Sequence, residues 1–201
     1  MKKVLSIALI LMNIFIFSAC NSKIDINSYS HATKSISESL LGVINNRQPF
    51  ITESNTEITL GEYNIPDILT GSEFLPLNYT FVDLDGDGTD ELVVSETQQN
   101  FYLILRFNAE DGKIYGYSLK TRAFIDVKTD GTFLQSSSAG INAVSKISFD
   151  GASLSISEMA FKNDVENVFE IDNKPVNKKN AEKYFTEWSA KKSSVWITIN
   201  S

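Results

Sequence analysis

Residues 100–120 read NFYLILRFNAEDGKIYGYSLK, and this stretch sets the pattern for the larger part of the chain. Its first segment, residues 100–107, is aromatic and aliphatic, which is typical of a buried β-strand. The Asp111-Gly112 pair suits a tight hairpin turn, because the central residues of such a turn need positive φ angles. Beyond the turn, Tyr115, Tyr117 and Leu119 alternate with other residues and share one face of a strand. The stretch therefore predicts a β-hairpin.

Asp-Gly pairs recur along the chain at a nearly constant interval. They stand at 111–112, 130–131 and 150–151, which are 19 and 20 residues apart. Strand-like segments separate and follow them, but these segments do not resemble one another, which argues against a repeat protein. The spacing predicts successive hairpins in an antiparallel meander of about six to eight strands.

Two helical patterns flank the strands. Apolar residues recur every three or four positions in residues 30–46, which predicts an amphipathic N-terminal helix that Pro49 ends. Asn177 is suited to cap a second helix. The apolar stripe of that helix consists of Ala181, Tyr184, Phe185 and Trp188. This order predicts an α+β fold, with the meander in a curved sheet or half-barrel and the C-terminal helix packed on it. We expect residues 29–201 to form a single domain.

The first twenty residues have the features of a bacterial lipoprotein signal peptide. A positive start precedes an apolar run at residues 4–17, which is shorter than the roughly 20 residues of a membrane-spanning helix. Small residues then precede Cys20 in the sequence FSAC, which resembles the lipobox of bacterial lipoproteins. That resemblance implies a cleaved signal peptide at residues 1–19 and a diacylglycerol on the Cys20 sulfur. The polar residues that follow, to residue 28, are expected to form a flexible tether.

Composition argues against several functional classes. The formal net charge is −7, and removal of the signal peptide with its two lysines would make it −9. An acidic protein is a poor partner for nucleic acid or for anionic lipid headgroups. Cys20 is the only cysteine and His31 the only histidine, so an intrachain disulfide is excluded. Zinc sites and Ser-His or Cys-His nucleophile pairs are not expected for the same reason.

The strongest chemical signal lies in residues 81–94, FVDLDGDGTDELVV. Carboxylates stand at positions 1, 3, 5 and 9 counted from Asp83, and Gly88 at position 6 permits a sharp turn. Calcium prefers six to eight oxygen ligands. The expected ligands are the side chains of Asp83, Asp85, Asp87 and Glu91 and the backbone carbonyl of Thr89. Leu84 is expected to point away from the ion, into the core.

Three other interpretations of this loop are an EF-hand, a magnesium site and an acidic turn without an ion. An EF-hand is excluded, because position 12 is Val94 rather than glutamate and the flanks are strand-like rather than helical. Magnesium fits less well, because it prefers fewer carboxylates and retains its waters. A solvated acidic turn without an ion remains the alternative, since Asp and Gly suit turns in any case.

The same loop resembles the D-x-D-x-D-G-x-x-[DE]-L loops of FG-GAP/VCBS and dockerin-like proteins, with Glu91 at the last ligand position. Only one copy is present, so a propeller is not expected. Because it combines this loop with a lipobox-like sequence, the chain resembles small uncharacterised lipoproteins of Firmicutes. That resemblance implies a location on the outer face of the cell membrane of a Gram-positive bacterium and a calcium-type loop, but it implies no activity.

Two functional hypotheses follow. The first is a non-enzymatic, lipid-anchored extracytoplasmic binding or accessory protein with one structural calcium ion, a class that includes immunity lipoproteins. Its partner would be another protein or a cell-wall glycan. The alternative is a carboxylate-dependent hydrolase of cell-wall polysaccharide, which needs two acids about 5–10 Å apart. Candidate acids are Glu96, Glu110 and Glu158, although nothing in the sequence pairs them.

Overall fold

The computed structural model describes residues 34–63, 77–96 and 101–199. The expected signal peptide, Cys20, the tether and His31 lie outside these residues. The first described element is helix α1, Lys34–Ile44, which falls within the predicted helix of residues 30–46. Its apolar face is buried, with Leu40 and Val43 fully shielded from solvent. No helix within the described residues is long and apolar enough to cross a membrane.

Twelve strands account for about half of the described residues, which confirms the α+β class. In chain order they are β1 (Phe50–Thr52), β2 (Glu57–Ile58), β3 (Leu77–Val82), β4 (Glu91–Glu96), β5 (Phe101–Asn108), β6 (Lys113–Lys120), β7 (Phe133–Ser138), β8 (Ile141–Asp150), β9 (Ser153–Asn163), β10 (Val168–Ile171), β11 (Lys174–Pro175) and β12 (Ile197–Ile199). A second helix, α2, covers Lys178–Ser189.

The strands form two sheets rather than one continuous meander. The first is a curved, seven-stranded sheet with the order β12-β3-β4-β5-β6-β1-β2. Its pairings are antiparallel except for β1 and β6, which run parallel with Ile51 opposite Tyr115. Gly116 of β6 makes this pairing possible, because a β-carbon there would collide with the Phe50 ring. The sequence did not predict the parallel pair, since it joins segments more than sixty residues apart.

The first sheet is buried on both faces. Alternate residues of β4 and β5, such as Leu92 and Leu103, pack with α1 in one apolar cluster. Their neighbours Val93 and Ile104 face the other way and pack against the second sheet. This alternation follows from the two-residue period of a strand. The first sheet therefore borders two layers of the core, one between it and α1 and one between the two sheets.

The second sheet contains β7 to β11 in the order β11-β10-β9-β8-β7, and every pairing in it is antiparallel. Helix α2 packs on this sheet, with Trp188 buried against Val144 and Ala160. The predicted cap is confirmed, because the Asn177 side chain accepts a hydrogen bond from the Asn180 N–H at 2.9 Å. The predicted apolar stripe is confirmed as well, since Ala181 and Trp188 are buried.

The Asp-Gly turns were predicted well. Gly112 and Gly151 adopt positive φ angles of 70° and 58° in the β5–β6 and β8–β9 hairpins. Gly131, with a φ of 77°, also lies in a tight turn, in which the Lys128 N–H donates to the Thr132 carbonyl. The segment before that turn pairs only through single bridges, such as that between Ile125 and Leu134, so it is not a strand.

Candidate metal centre

The acidic loop, residues 83–91, connects β3 to β4 at one end of the first sheet. The last pair of this hairpin, Val82 and Glu91, brings the two ends of the loop together. Leu84 is completely buried in the cluster between the sheets, as predicted, and it anchors the loop to the core. Gly86 and Gly88 have φ angles of 82° and 90°, which side chains rarely tolerate. The glycines therefore let the loop curl back on itself.

Hydrogen bonds within the loop orient its aspartates. The Asp83 carboxylate accepts from the N–H groups of Gly86 at 2.6 Å and Gly88 at 3.1 Å. Asp85 accepts from the Asp87 N–H at 3.0 Å. These are Asx-type turns, in which a short acidic side chain bonds to the backbone a few residues further on. They fix the positions of Asp83 and Asp85 relative to the loop backbone.

Glu91 differs from the aspartates because it is buried, with only 1 % of its surface exposed. Its Oε2 atom accepts a hydrogen bond from the Leu84 N–H at 2.9 Å. Burial raises the pKa of Glu91 to about 9, and the charges of Asp85 and Asp87 add to this rise. Burial also raises the pKa of Asp85, to which the charges of Asp87 and Asp83 contribute. The loop thus holds carboxylates where their negative charges are costly without a compensating cation.

Asp83, Asp85 and Glu91 form a group, here called the acidic triad, that can hold a metal ion. One carboxylate oxygen from each lies within 4.8 Å of the others. Two oxygens on opposite sides of a calcium ion, each about 2.3–2.6 Å away, would be about 5 Å apart. The spacing is therefore compatible with three oxygens around one cation, and carboxylate oxygens are the ligands that hard cations prefer.

The two other predicted ligands stand outside the triad. The Asp87 side chain is exposed, and its Oδ1 atom accepts a hydrogen bond from the Thr89 N–H at 2.7 Å. Thr89 is half-buried, and its carbonyl was the expected fifth ligand. The role of Asp87 and Thr89 as ligands stays a prediction. The triad by itself supplies three oxygens.

Two cationic side chains beside the loop were not predicted from the sequence. The Arg106 guanidinium lies 4.7 Å from the centre of the Phe149 ring and donates to the Gly151 carbonyl at 3.1 Å. Its positive charge opposes the rise in the pKa of both Asp85 and Glu91. Lys146 comes from the second sheet, and its Nζ atom would lie 2.9 Å from a β-carbon on Gly86. The pairing of β5 with β4 brings Arg106 to the loop, and the packing of the two sheets brings Lys146 there.

The acids considered for hydrolysis do not belong to the triad. Glu110 is exposed in the turn after β5, and Glu158 is exposed on β9 of the other sheet. Glu96 is the last residue of β4, at the end of the strand opposite to Glu91. The structure thus brings together the acids of the predicted calcium loop rather than these three.

Known proteins offer no further guide to the site. No protein-family model, no curated protein sequence and no solved structure matches the chain, so its function has to be inferred from the geometry of the molecule itself.

Proposed function

We propose that the protein is a lipid-anchored binding or accessory protein on the extracytoplasmic face of a bacterial membrane, and that its acidic loop binds one structural calcium ion. The observation that carries the ion proposal is the acidic triad, in which the buried Glu91 lies within 4.8 Å of Asp83 and Asp85. The resemblance of the sequence around Cys20 to a lipobox supports the anchor, and in an extracytoplasmic location the loop would meet available calcium.

Calcium explains the burial of Glu91 better than an acidic turn without an ion does. A solvated turn would leave its carboxylates in water, whereas Glu91 is shielded from solvent and its pKa is raised to about 9 by that burial. A divalent cation takes the place of the proton and compensates the negative charge. With the triad, Asp87 and the Thr89 carbonyl as ligands, the site offers more carboxylates than magnesium usually accepts.

The role of the ion in this proposal is structural. The triad joins the two ends of the loop, because Asp83 follows β3 and Glu91 begins β4. An ion held between them fixes this junction and, through Leu84, its attachment to the core. We expect an affinity of about 10⁻⁴–10⁻³ M, which is typical of extracellular calcium modules.

The binding function rests on the anchor and the surface. Two acyl chains on Cys20 would hold the protein firmly at the membrane, at about 0.8 kcal/mol per buried CH₂ group. Residues 20–28 would act as a tether that lets the folded part reach a protein partner or a cell-wall glycan. An immunity lipoprotein belongs to this class. The acidic net charge of −7 argues against nucleic acid as a partner.

Thermal unfolding of the soluble fragment 21–201 tests the ion proposal. At about 10 mM calcium and a Kd of about 10⁻³ M, binding stabilises the folded state by about 1.4 kcal/mol, which raises Tm by several degrees. Magnesium at the same concentration is expected to raise it less. Asp83→Asn should abolish the calcium-dependent rise in Tm. Asp87→Asn, which changes a residue outside the triad, should reduce that rise only in part. An equal calcium shift in wild type and Asp83→Asn would contradict the proposal.

A further inference from the structure

The turn that precedes β7, residues 128–132, packs directly against the acidic loop and is here called the connecting turn. Gly131 of this turn lies against the loop backbone. A β-carbon at Gly131 would lie 2.9 Å from both Cα and O of Leu84 and would collide with the carbonyl oxygen of Asp83. Gly131 also has a φ of 77°, which favours glycine. The two backbones are therefore in contact at Asp83, the first residue after β3 and the first of the triad, with no side chain between them.

The connecting turn is also tied to the end of α2. The Thr132 Oγ1 atom accepts a hydrogen bond from Trp188 Nε1 at 2.9 Å, and both residues are buried. Asp130 forms an ion pair with Lys191, just beyond the helix, at 2.7 Å. Thr132 Oγ1 also donates to Asp130 Oδ1 at 2.6 Å, so these two attachments are joined.

A third attachment comes from the first residue of the turn. Lys128 is buried, and its ammonium donates to the Ser189 carbonyl, the last residue of α2, at 3.1 Å. The same ammonium lies 4.8 Å from the centre of the Trp188 ring. The turn is thus held by α2 on one side and supports the acidic loop on the other.

We propose that cation binding in the acidic loop and docking of α2 are coupled through the connecting turn, an inference that rests on the proposed function. The ion needs Asp83 in a fixed position, and the backbone of the turn packs against the backbone of Asp83. When α2 leaves the sheet, the turn loses the bonds from Trp188 and Lys191. Its backbone then holds Asp83 in position less firmly. Linkage requires the reverse as well: an ion that orders the loop favours the docked helix.

Hydrogen exchange of the full chain in detergent micelles tests the coupling, with calcium alone as the probe. Calcium is expected to slow exchange of the α2 amides by about five-fold or more, the lower end of typical coupling. The amides of α1 provide the internal comparison, because α1 packs on the opposite face of the first sheet. Exchange in α2 should slow more than exchange in α1. Binding of calcium measured by calorimetry, with equal effects on both helices, would overturn the coupling and leave the ion proposal intact.

The reciprocal test changes the turn and measures calcium affinity. Thr132→Val combined with Lys191→Gln removes the hydrogen bond from Trp188 and the ion pair with Asp130. We expect the Kd for calcium to rise about five-fold or more. Lys183→Gln is the matched control, because Lys183 pairs with Glu187 on the exposed face of α2. An unchanged Kd in the double variant would overturn the coupling. If that variant does not fold, Lys191→Gln alone, which changes an exposed pair, tests the same link. Failure of wild type to bind calcium would overturn both proposals.

Discussion

The backbone N–H of Leu84 donates to the Glu91 carboxylate at 2.9 Å and so closes the acidic loop across its base. One carboxylate therefore has two tasks: it accepts a hydrogen bond that holds the loop, and it offers an oxygen to the acidic triad. The two tasks make different demands, because the hydrogen bond needs only an acceptor while the cation needs a negative charge.

Glu91→Gln separates these two tasks. The glutamine oxygen can still accept from Leu84, and a neutral amide avoids the cost of burying a carboxylate. We therefore expect the unfolding free energy in chelator to be close to that of wild type below pH 4.5 and higher than that of wild type at neutral pH. The calcium-dependent rise in Tm should be lost, because the amide carries no charge. Scanning calorimetry with and without calcium measures both effects. Glu110→Gln, which changes an exposed acid outside the triad, should retain the full rise; its loss there as well would contradict a role specific to Glu91.

The stability of the calcium-free protein should be greatest between about pH 3.8 and 4.5. The pKa of Glu91 is raised from 4.5 to about 9, so its contribution is fully present below 4.5 and is lost as the pH rises toward 9. For Asp126 and Asp130 burial opposes ionisation, but hydrogen bonds from lysines lower both pKa values from 3.8. Their contribution is present above 3.8 and is lost as the pH falls through the lowered values.

Urea titrations in chelator across this pH range measure the effect. Above pH 4.5 the unfolding free energy should fall as the pH rises, by about 1.4 kcal/mol per pH unit for each proton that only the folded state retains. Glu91 and Asp85, whose pKa values are both raised, are the groups that retain one. Saturating calcium should reduce the slope, because the ion displaces the proton from Glu91. A calcium-free stability that rises steadily from pH 5 to 9 would show that Glu91 is ionised in the folded protein.

Lys128→Met should destabilise the fold by about 1–3 kcal/mol. The buried ammonium donates to Asp126 at 2.8 Å, to the Ser189 carbonyl and to Ser193, and methionine cannot replace these bonds. Chemical denaturation measures the change. Lys183→Met is the control: its partner is an exposed glutamate, so its effect should stay within about 0.5 kcal/mol. Equal effects of the two substitutions would contradict a special role of the buried lysine.

Cys20→Ser should release the protein from the membrane. Serine has no sulfur to carry the diacylglycerol, and the anchor in this proposal depends on that thioether. Fractionation of cells into membrane and soluble parts, with immunodetection of the protein, measures the change. Ser18→Thr leaves the cysteine in place and should remain in the membrane fraction. A Cys20→Ser protein that stays with the membrane would point to a different anchor.

Local patterns allowed most single elements to be predicted. The Asp-Gly turns and the Asn177 cap depend on neighbouring residues alone, and both were found where the sequence indicated. The composition of the triad was also predicted, because Asp83, Asp85 and Glu91 lie within nine residues. The burial of Glu91 was not predicted, because it depends on the second sheet covering the loop.

Long-range pairing accounts for what could not be predicted. The parallel pair of β1 and β6 depends on Gly116, which leaves room for the Phe50 ring. No local sequence pattern indicates this contact. Lys146 reaches the loop only because the second sheet packs on the first, and Arg106 reaches it because β5 pairs with β4. Alternation identified the strands correctly, but it could not show that they divide into two sheets, since both arrangements bury the same alternate residues.

The position of β12 affects the order in which the fold can be completed as the chain emerges. Ile197 pairs with Tyr79, and Thr198 donates to Asn78 at 2.7 Å, a partner 120 positions earlier in the chain. In the proposed export a signal peptide leads the unfolded chain across the membrane, so this edge of β3 emerges before its partner. During that time an unpaired edge can join another chain. We expect the emerging protein to depend on its own late residues, or on a chaperone, to protect an edge that emerges early.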